Sequence, residues 1–191
     1  MKLPLNSAHR AMLLITTLLA LPFLLAWGLY SYGWRPEKSG NYGELLQPPP
    51  QLPASALLKL DGQPLKREEL LDKWQFVLVG NTPCTESCRH SLHQMRQVQV
   101  SLNKDMPRLK RLWINPGAAT DPATPEILKA WPDLQVAHPP ADPAWQTAFP
   151  TPERVYVIDP LGNIIMRYPA DPDWKLVRKD IERLLKYSWT G

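Results

Sequence analysis

The sequence has few of the residues from which most enzyme active sites are built. Its 191 residues contain two cysteines and four histidines. There is no Gly-x-Ser-x-Gly motif, no phosphate-binding glycine loop and no His-Glu-x-x-His pattern. Aspartate and glutamate are scattered, without a spacing that indicates a paired general acid and base. The sequence therefore carries no hydrolase or transferase signature.

A concentrated block of positive charge is also absent. The formal net charge is +4, but acidic residues are interleaved with the basic ones, as Asp180 and Glu182 are within Lys175–Lys186. No arginine-rich run and no recognised nucleic-acid motif is present. We therefore expect no nucleic-acid partner and interpret these charges as solvated surface.

Charge is missing altogether from residues 11–30, which form a long apolar run. Twenty helical residues at ~1.5 Å each span ~30 Å, the thickness of the hydrocarbon layer of a bilayer. Aromatic residues, which favour membrane interfaces, cluster at the end of the run: Trp27, Tyr30, Tyr32 and Trp34. The pattern predicts a short tail and a transmembrane anchor within residues 1–34, with residues 11–30 in the bilayer.

A cleaved signal peptide is the alternative interpretation of this run. Ala26 and Gly28 have suitable spacing for cleavage, but the apolar run is longer than the ~7–15 residues usual for such signals. A short N-terminal tail and a single vicinal cysteine pair favour a domain on the oxidising side of the membrane. We expect a single-pass protein of the inner (plasma) membrane with its C-terminal domain in the periplasm.

Proline marks the segment between the anchor and the domain. Pro48, Pro49 and Pro50 favour an extended, semi-rigid conformation. We therefore predict a proline-rich linker over residues 35–56 and a single domain over residues 57–191.

Within that domain, apolar periodicity and turn residues predict alternating strands and helices. The expected strands are 57–60, 74–80, 108–114, 134–136, 154–159 and 164–168. The expected helices are 65–72, 84–104, 124–131, 142–149 and 174–185. This order predicts an α/β fold of the thioredoxin-like type, a mixed sheet flanked by helices, preceded by the N-terminal transmembrane helix.

The two cysteines, Cys84 and Cys88, form one C-x-x-x-C unit where a buried strand is followed by a helix. A disulfide needs Cβ atoms ~3.5–4.5 Å apart, closer than residues four apart on a regular helix. We therefore expect Cys84 in the loop and Cys88 in the first helical turn, at an exposed helix start that stabilises a thiolate. The pair would exchange a disulfide or bind a soft metal ion, Cu(I) or Zn(II). A static structural disulfide, or a pair of inert buried thiols, is the alternative.

A metal site would need a further ligand. His90 and His93 are expected to face away from the cysteines, because their spacing from Cys88 places them on other sides of the helix. His138, in a proline-rich loop, is the remaining candidate metal ligand, and an ordinary loop histidine is the alternative.

In thioredoxin-like folds a cis-proline packs opposite the cysteine pair, just before a central strand. Pro150 and Pro152 precede the strand that begins near Val155 and are the candidates for this role. The alternative is a trans proline in a loop.

These features together resemble the Sco/SenC family of membrane-anchored copper proteins, which help to assemble cytochrome c oxidase. The resemblance rests on the N-terminal anchor, Phe76–Val79, the Cys84 and Cys88 pair, and Val155–Gly162 (Val-Tyr-Val-Ile-Asp-Pro-Leu-Gly). It implies protein partners among oxidase subunits or assembly factors, and Cu(I) as a ligand of the two cysteines.

The sequence departs from that family at two positions. Thr151 stands where the family has its copper-binding histidine, and Arg89 replaces the proline that commonly follows the second cysteine. The resemblance therefore transfers copper binding to the two cysteines only, and it favours redox work over stable copper binding.

The functional prediction is an oxidase-assembly factor that acts by thiol–disulfide exchange, by copper handling or by both. Two alternatives stay open: a general extracytoplasmic thiol–disulfide oxidoreductase, and a non-catalytic assembly scaffold with a structural disulfide.

Overall fold

The computed structural model describes residues 7–34, 40–80 and 82–190, and the chain divides into two compact units, residues 1–40 and 41–191. Helix α1 (Ser7–Ser31) contains the uncharged run, and none of its residues is buried. It is long and apolar enough to cross a membrane, as the sequence predicted. Residues 1–6 of the predicted tail and residues 35–39 of the predicted linker lie outside the described residues.

The second unit is built around an eight-stranded mixed sheet in the order β1-β8-β7-β4-β5-β6-β2-β3. The strands are β1 (Glu44–Leu45), β2 (Leu57–Lys59), β3 (Pro64–Leu65), β4 (Trp74–Val79), β5 (Leu109–Ile114), β6 (Gln135–His138), β7 (Arg154–Ile158) and β8 (Ile164–Arg167). Strands β4, β5 and β6 are parallel, and every other pairing is antiparallel. The carboxyl ends of the three parallel strands therefore meet at one edge of the sheet.

Four helices cover the sheet: α2 (Glu86–Ser101), α3 (Thr124–Ala130), α4 (Pro143–Ala148) and α5 (Trp174–Tyr187). Alternate residues of β4 face opposite sides, since Phe76 and Leu78 join one buried cluster and Val77 joins the other. The first cluster includes apolar residues of α2, α3 and α5, and the second includes Trp145 and Ala148 of α4. Helices on both faces of a mixed sheet confirm the predicted thioredoxin-like class.

The linker prediction over residues 35–56 is wrong for its second part, because residues 41–56 belong to the domain. Strand β1 pairs with β8, and Gln51 forms a bridge with Asn163. Leu52 is buried in the second cluster. These backbone pairings and the burial of Leu52 outweigh the extended preference that the prolines suggested.

A second difference concerns residues 65–72, where the sequence predicted a helix. The structure has one short 3-10 turn, Arg67–Leu70, and Pro64 and Leu65 pair with β2 as an edge strand. The other predicted helices and strands are present, with ends shifted by a few residues.

Candidate functional site

The two cysteines lie where β4 gives way to α2. Thr85 is the residue that caps α2, and its hydroxyl accepts a hydrogen bond from the Cys88 backbone N–H at 3.3 Å. Cys84 therefore lies in the loop before the helix and Cys88 in its first turn, as the sequence predicted. The two sulfurs form a disulfide with an S–S distance of 2.02 Å and a Cα–Cα distance of 5.4 Å.

The disulfide is less accessible than the sequence suggested. Cys84 is 6% exposed and Cys88 8% exposed, and both belong to the apolar cluster beneath α2. Cys88, in the first turn of α2, and Cys84, in the loop before it, share this cluster with Leu92. The residues around them are exposed, including Pro83 and Ser87. A partner would therefore reach the sulfurs through this exposed loop.

A buried carboxylate holds the cysteine loop against the loop that follows β5. Asp121 is 3% exposed. Its Oδ2 accepts the Cys84 N–H at 2.7 Å, and its Oδ1 accepts the Ala123 N–H at 2.9 Å. The carboxylate thus satisfies backbone donors from two loops at once, which fixes the position of Cys84.

Asn115 makes the second link between the same two loops. It is fully buried, and its Oδ1 accepts the Thr82 hydroxyl at 2.6 Å and the Gly117 N–H at 3.1 Å. Its Nδ2 lies 3.5 Å from the Asp121 carboxylate. We call Asn115 and Asp121 the polar clamp.

The sequence analysis missed the polar clamp, although a signal was present. Asn115 directly follows β5 and Asp121 lies in the same loop, and Asn and Asp in loops commonly bind nearby backbone N–H groups. Because β4 and β5 are parallel neighbours, the loops after them lie side by side. The clamp and the cysteines could have been placed together on that basis.

The structure does not add a third metal ligand to the cysteines. In the part of the chain that it describes, no group of three or more Cys, His, Asp or Glu residues is placed to hold a metal ion. His138 ends β6 and pairs with Leu58 of β2, and β5 separates β6 from β4. His138 is therefore not joined to the cysteines in a ligand set. His90 and His93 are exposed on α2.

Thr151 stands at the position of the copper-binding histidine of the Sco/SenC family, and it is hydrogen-bonded to Tyr156 and Arg167. Its backbone N–H and C=O both bind the Tyr156 hydroxyl, at 3.3 and 2.9 Å. Its own hydroxyl accepts a hydrogen bond from Arg167 at 3.1 Å. A hydroxyl is a hard oxygen donor, unsuited to Cu(I). The residues present therefore offer two sulfur ligands and do not fit a three-ligand copper site.

The cis-proline prediction for Pro150 and Pro152 is wrong. The cis bonds of the described residues are Gln47–Pro48 and Thr82–Pro83, so the bonds before Pro150 and Pro152 are trans. The turn before β7 is made by Glu153 instead, which adopts a positive φ of 56°. Its N–H donates a hydrogen bond to the Val79 carbonyl at 2.7 Å.

A cavity of about 630 Å³ opens at the same edge of the sheet, between the ends of β4 and β5 and helix α4. Prolines and two aromatic rings, those of Trp145 and Phe149, provide much of its wall. These rings belong to the second buried cluster, whereas the cysteines belong to the first. The cavity and the disulfide therefore approach the edge from opposite faces of the sheet.

Comparison with solved structures identifies proteins of similar fold. Copper-bound ScoI of Bradyrhizobium japonicum is 20% identical, with a TM-score of 0.53, and the match covers 68% of this chain and 96% of that one. Yeast Sco1 is 18% identical, with a TM-score of 0.61 and coverage of 74% and 97%. A putative thiol:disulfide interchange protein DsbE of Chlorobium tepidum is 19% identical, with a TM-score of 0.55 and coverage of 72% and 96%. At these identities the likeness shows a shared fold.

No curated protein sequence matches the chain. A family model does, that of the transmembrane-like, thioredoxin-like, C-terminal domain, which matches residues 74–188. That range contains both cysteines, the polar clamp and the sheet from β4 to β8. The chain therefore belongs to this family of transmembrane-like, thioredoxin-like C-terminal domains.

Proposed function

We propose that this protein is a membrane-anchored thiol–disulfide exchange factor that serves the assembly of the copper centre of cytochrome c oxidase. The observation that carries the proposal is the Cys84–Cys88 disulfide at the start of α2, in a fold shared with Sco proteins. Helix α1 holds the domain at the inner membrane, and the domain works on the periplasmic side. Oxidase subunits or their assembly factors are the partners.

The exchange needs two electrons and a partner disulfide. In the reduced protein, one thiolate of the pair attacks the partner disulfide, forms a mixed disulfide and releases a partner thiolate, which takes up a proton. The second cysteine, as its thiolate, then attacks the first cysteine's sulfur in the mixed disulfide. The other partner sulfur leaves as a thiolate, which also takes up a proton. The products are the Cys84–Cys88 disulfide and a partner dithiol ready to bind copper. A dithiol reductant must return the pair to its reduced form.

Copper is the partner's cargo in this proposal. Reduced Cys84 and Cys88 supply two soft ligands for Cu(I), but the described residues add no third ligand, and Thr151 replaces the family histidine. Thiol exchange therefore uses the residues present better than stable copper binding does.

A second candidate function is a non-catalytic scaffold in which the disulfide is structural. The burial of Cys84 and Cys88 favours it. Against it, a disulfide that closes so short a loop adds only about 2 kcal/mol to the free energy of unfolding. This small gain in stability is a weak explanation for two cysteines at the start of a helix.

The test uses the full chain in detergent micelles, with the cysteine pair reduced. We expect it to reduce an oxidised peptide that carries the copper-ligand cysteines of an oxidase subunit, and to form its own disulfide in equal amount. The C84S/C88S variant should not react. Ser87→Ala, an exposed position between the cysteines, is the matched control and should react normally.

Four outcomes separate the candidates. Reduction of the oxidase peptide with little turnover of insulin supports a dedicated partner, and equal turnover of both indicates a general oxidoreductase. In cells, loss of assembled oxidase with C84S/C88S at normal protein level supports exchange. Full oxidase assembly with that variant would leave the scaffold as the function.

A further inference from the structure

The residues that follow α5 are fixed to the domain through their backbone. The Arg108 guanidinium donates hydrogen bonds to the carbonyls of Leu185, Ser188 and Thr190, at 2.9, 3.0 and 3.1 Å. The indole N–H of Trp74 also donates to the Thr190 carbonyl, at 3.3 Å. Two buried or half-buried side chains thus hold the end of the chain in one conformation.

This fixed segment presents aromatic side chains to the outside. Trp189 is 102% exposed and Tyr187 is 70% exposed. The other tryptophans of the domain are buried (Trp74, Trp113 and Trp145) or half-buried (Trp131 and Trp174). A tryptophan held outward on an immobilised backbone leaves a large apolar surface in water, which is unfavourable unless something covers it.

The face of α5 beside these aromatics is positively charged. Its exposed charged residues are Lys175, Arg178, Lys179, Glu182, Arg183 and Lys186. Asp180, which the sequence predicted to be a solvated surface charge, is buried, and Glu182 is paired with Arg178 at 2.7 Å. The Lys186 ammonium lies 5.5 Å from the centre of the Tyr187 ring. Cations and aromatic rings therefore share one surface.

The chain also enters the domain at α5. The backbone N–H groups of Tyr42 and Gly43 bind the Asp180 carboxylate, at 3.0 and 2.8 Å, and the Tyr42 hydroxyl accepts the Asp173 N–H at 3.0 Å. From Ser31, where α1 ends, to Asn41 there are ten residue steps. In any conformation these span at most about 33–36 Å. This ten-step segment, here called the tether, sets an upper limit on the distance between the end of α1 and Asn41.

We infer that Tyr187, Trp189 and the basic face of α5, here called the α5 surface, bind the anionic lipid surface of the membrane that α1 spans. The inference rests on the proposed membrane anchor. Tryptophan and tyrosine rings settle at the headgroup level, and lysine and arginine are attracted to anionic headgroups. Because the anchor and the domain are parts of one chain, the contact is intramolecular. A weak affinity for lipid is therefore sufficient to keep the α5 surface bound. The contact gives the domain one fixed orientation on the bilayer.

The experiment places the full chain, labelled with 5-fluorotryptophan, in nanodiscs that contain phosphatidylglycerol and a doxyl-labelled lipid. The W189F and W27F variants assign the fluorine signals of Trp189 and of Trp27, which lies in α1. We expect the Trp189 signal to lose most of its intensity to the doxyl lipid. In nanodiscs of phosphatidylcholine, or at high salt, the loss should be much smaller.

A matched pair of charge reversals tests the electrostatic part. Lys186→Glu and Lys129→Glu each change an exposed lysine in the last turn of a helix, α5 and α3 respectively. Only Lys186→Glu should restore the Trp189 signal. Equal signals in the two variants, or equal loss in both kinds of nanodisc, would overturn the role of anionic lipid.

Trp27 separates this inference from the proposed anchor. If the Trp27 signal is lost and the Trp189 signal stays sharp, the anchor stands and the inference is wrong. If both signals stay sharp, the anchor itself is wrong. Disulfide exchange, measured on the same sample, reports on the redox function independently.

Discussion

Asp121 and Asn115 hold the loop after β4, which carries Cys84, against the loop after β5. The carboxylate of Asp121 accepts the Cys84 N–H, and Asn115 binds the hydroxyl of Thr82, two residues before Cys84. A buried negative charge so close to Cys84 disfavours a second negative charge on its sulfur. The polar clamp therefore does two opposing things: it orders the loop and restrains the reactivity of the reduced pair.

Asp121→Asn tests this balance. The amide keeps one oxygen that can accept the Cys84 N–H, while its NH2 replaces the oxygen that accepts the Ala123 N–H. Because the charge is removed, we expect the reduced, folded variant to react with iodoacetamide at pH 7 roughly three to ten times faster. Asp171→Asn, at an exposed carboxyl, is the control. The rate is measured by mass spectrometry of the full chain. An unchanged rate in a folded Asp121→Asn variant would show that the charge does not act on the sulfur.

A second buried charge, Arg111, lies on the α2 side of the sheet. Its side chain is fully buried and binds Gln99 at 2.8 Å and the Asp133 carboxylate at 2.8 Å. Burial lowers the pKa of Arg111, against the attraction of Asp133. Burial alone would raise the pKa of Asp133, but the hydrogen bond and charge of Arg111 outweigh it and the net pKa is lowered.

The lowered pKa of Asp133 predicts an acid-sensitive contribution to stability. A carboxylate whose pKa is lower in the folded state stabilises above its unfolded pKa, and this stabilisation is lost as pH falls through the folded pKa. The Asp133 side chain is 43% exposed, so water screens its pairing with Arg111, and Asp133→Asn should reduce the free energy of unfolding by only about 0.5–1.5 kcal/mol at pH 7. Denaturant unfolding from pH 7 to pH 2 should show that difference shrinking below about pH 5. A constant difference would contradict the argument.

At the scale of elements, the sequence pattern was most reliable where apolar periodicity was long. Strand β4 and helices α2 and α5 occur where the pattern predicted them, because their buried faces repeat over several residues. Strand β1 has two residues, too short for any period, and it exists because Gly43 and Asp180 bring the chain against β8 and α5. Contacts between residues so far apart in sequence produce no local apolar periodicity, so the sequence could not predict β1.

Gly43→Ala tests why β1 stays on the sheet. A Cβ at Gly43 would lie 2.5 Å from Sδ of Met166 and 2.7 Å from Cε1 of Tyr168, both fully buried. Since neither side chain has space to move, we expect a loss of about 1–3 kcal/mol in the free energy of unfolding. Gly28→Ala, where nothing lies within 4 Å of the added Cβ, is the control. Equal stability of the two variants would show that the site can adapt.

At the scale of the whole molecule, the sequence placed the cysteine pair and the fold class correctly, and it misplaced the features that depend on packing. It could not show that the disulfide is buried, that Pro150 and Pro152 are trans, or that Asp180 is withdrawn from the surface of α5. Each of these is set by neighbours distant in sequence. The N-terminal boundary of the domain is the largest such difference, since residues 41–56 complete the sheet and cover its core.

Truncation at two points tests that boundary. A chain of residues 41–191 keeps β1, the bond from Gly43 to Asp180, and Leu52, so we expect one cooperative unfolding transition. A chain that begins at residue 57 loses all three. The deletion exposes Met166 and the part of the second cluster that Leu52 covers. It also removes the two N–H groups that bind the Asp180 carboxylate, so we expect the free energy of unfolding to fall by several kcal/mol. Thermal unfolding followed by circular dichroism should show a much lower midpoint or no transition. Similar midpoints for the two chains would mean that residues 41–56 rest on a core that is complete without them.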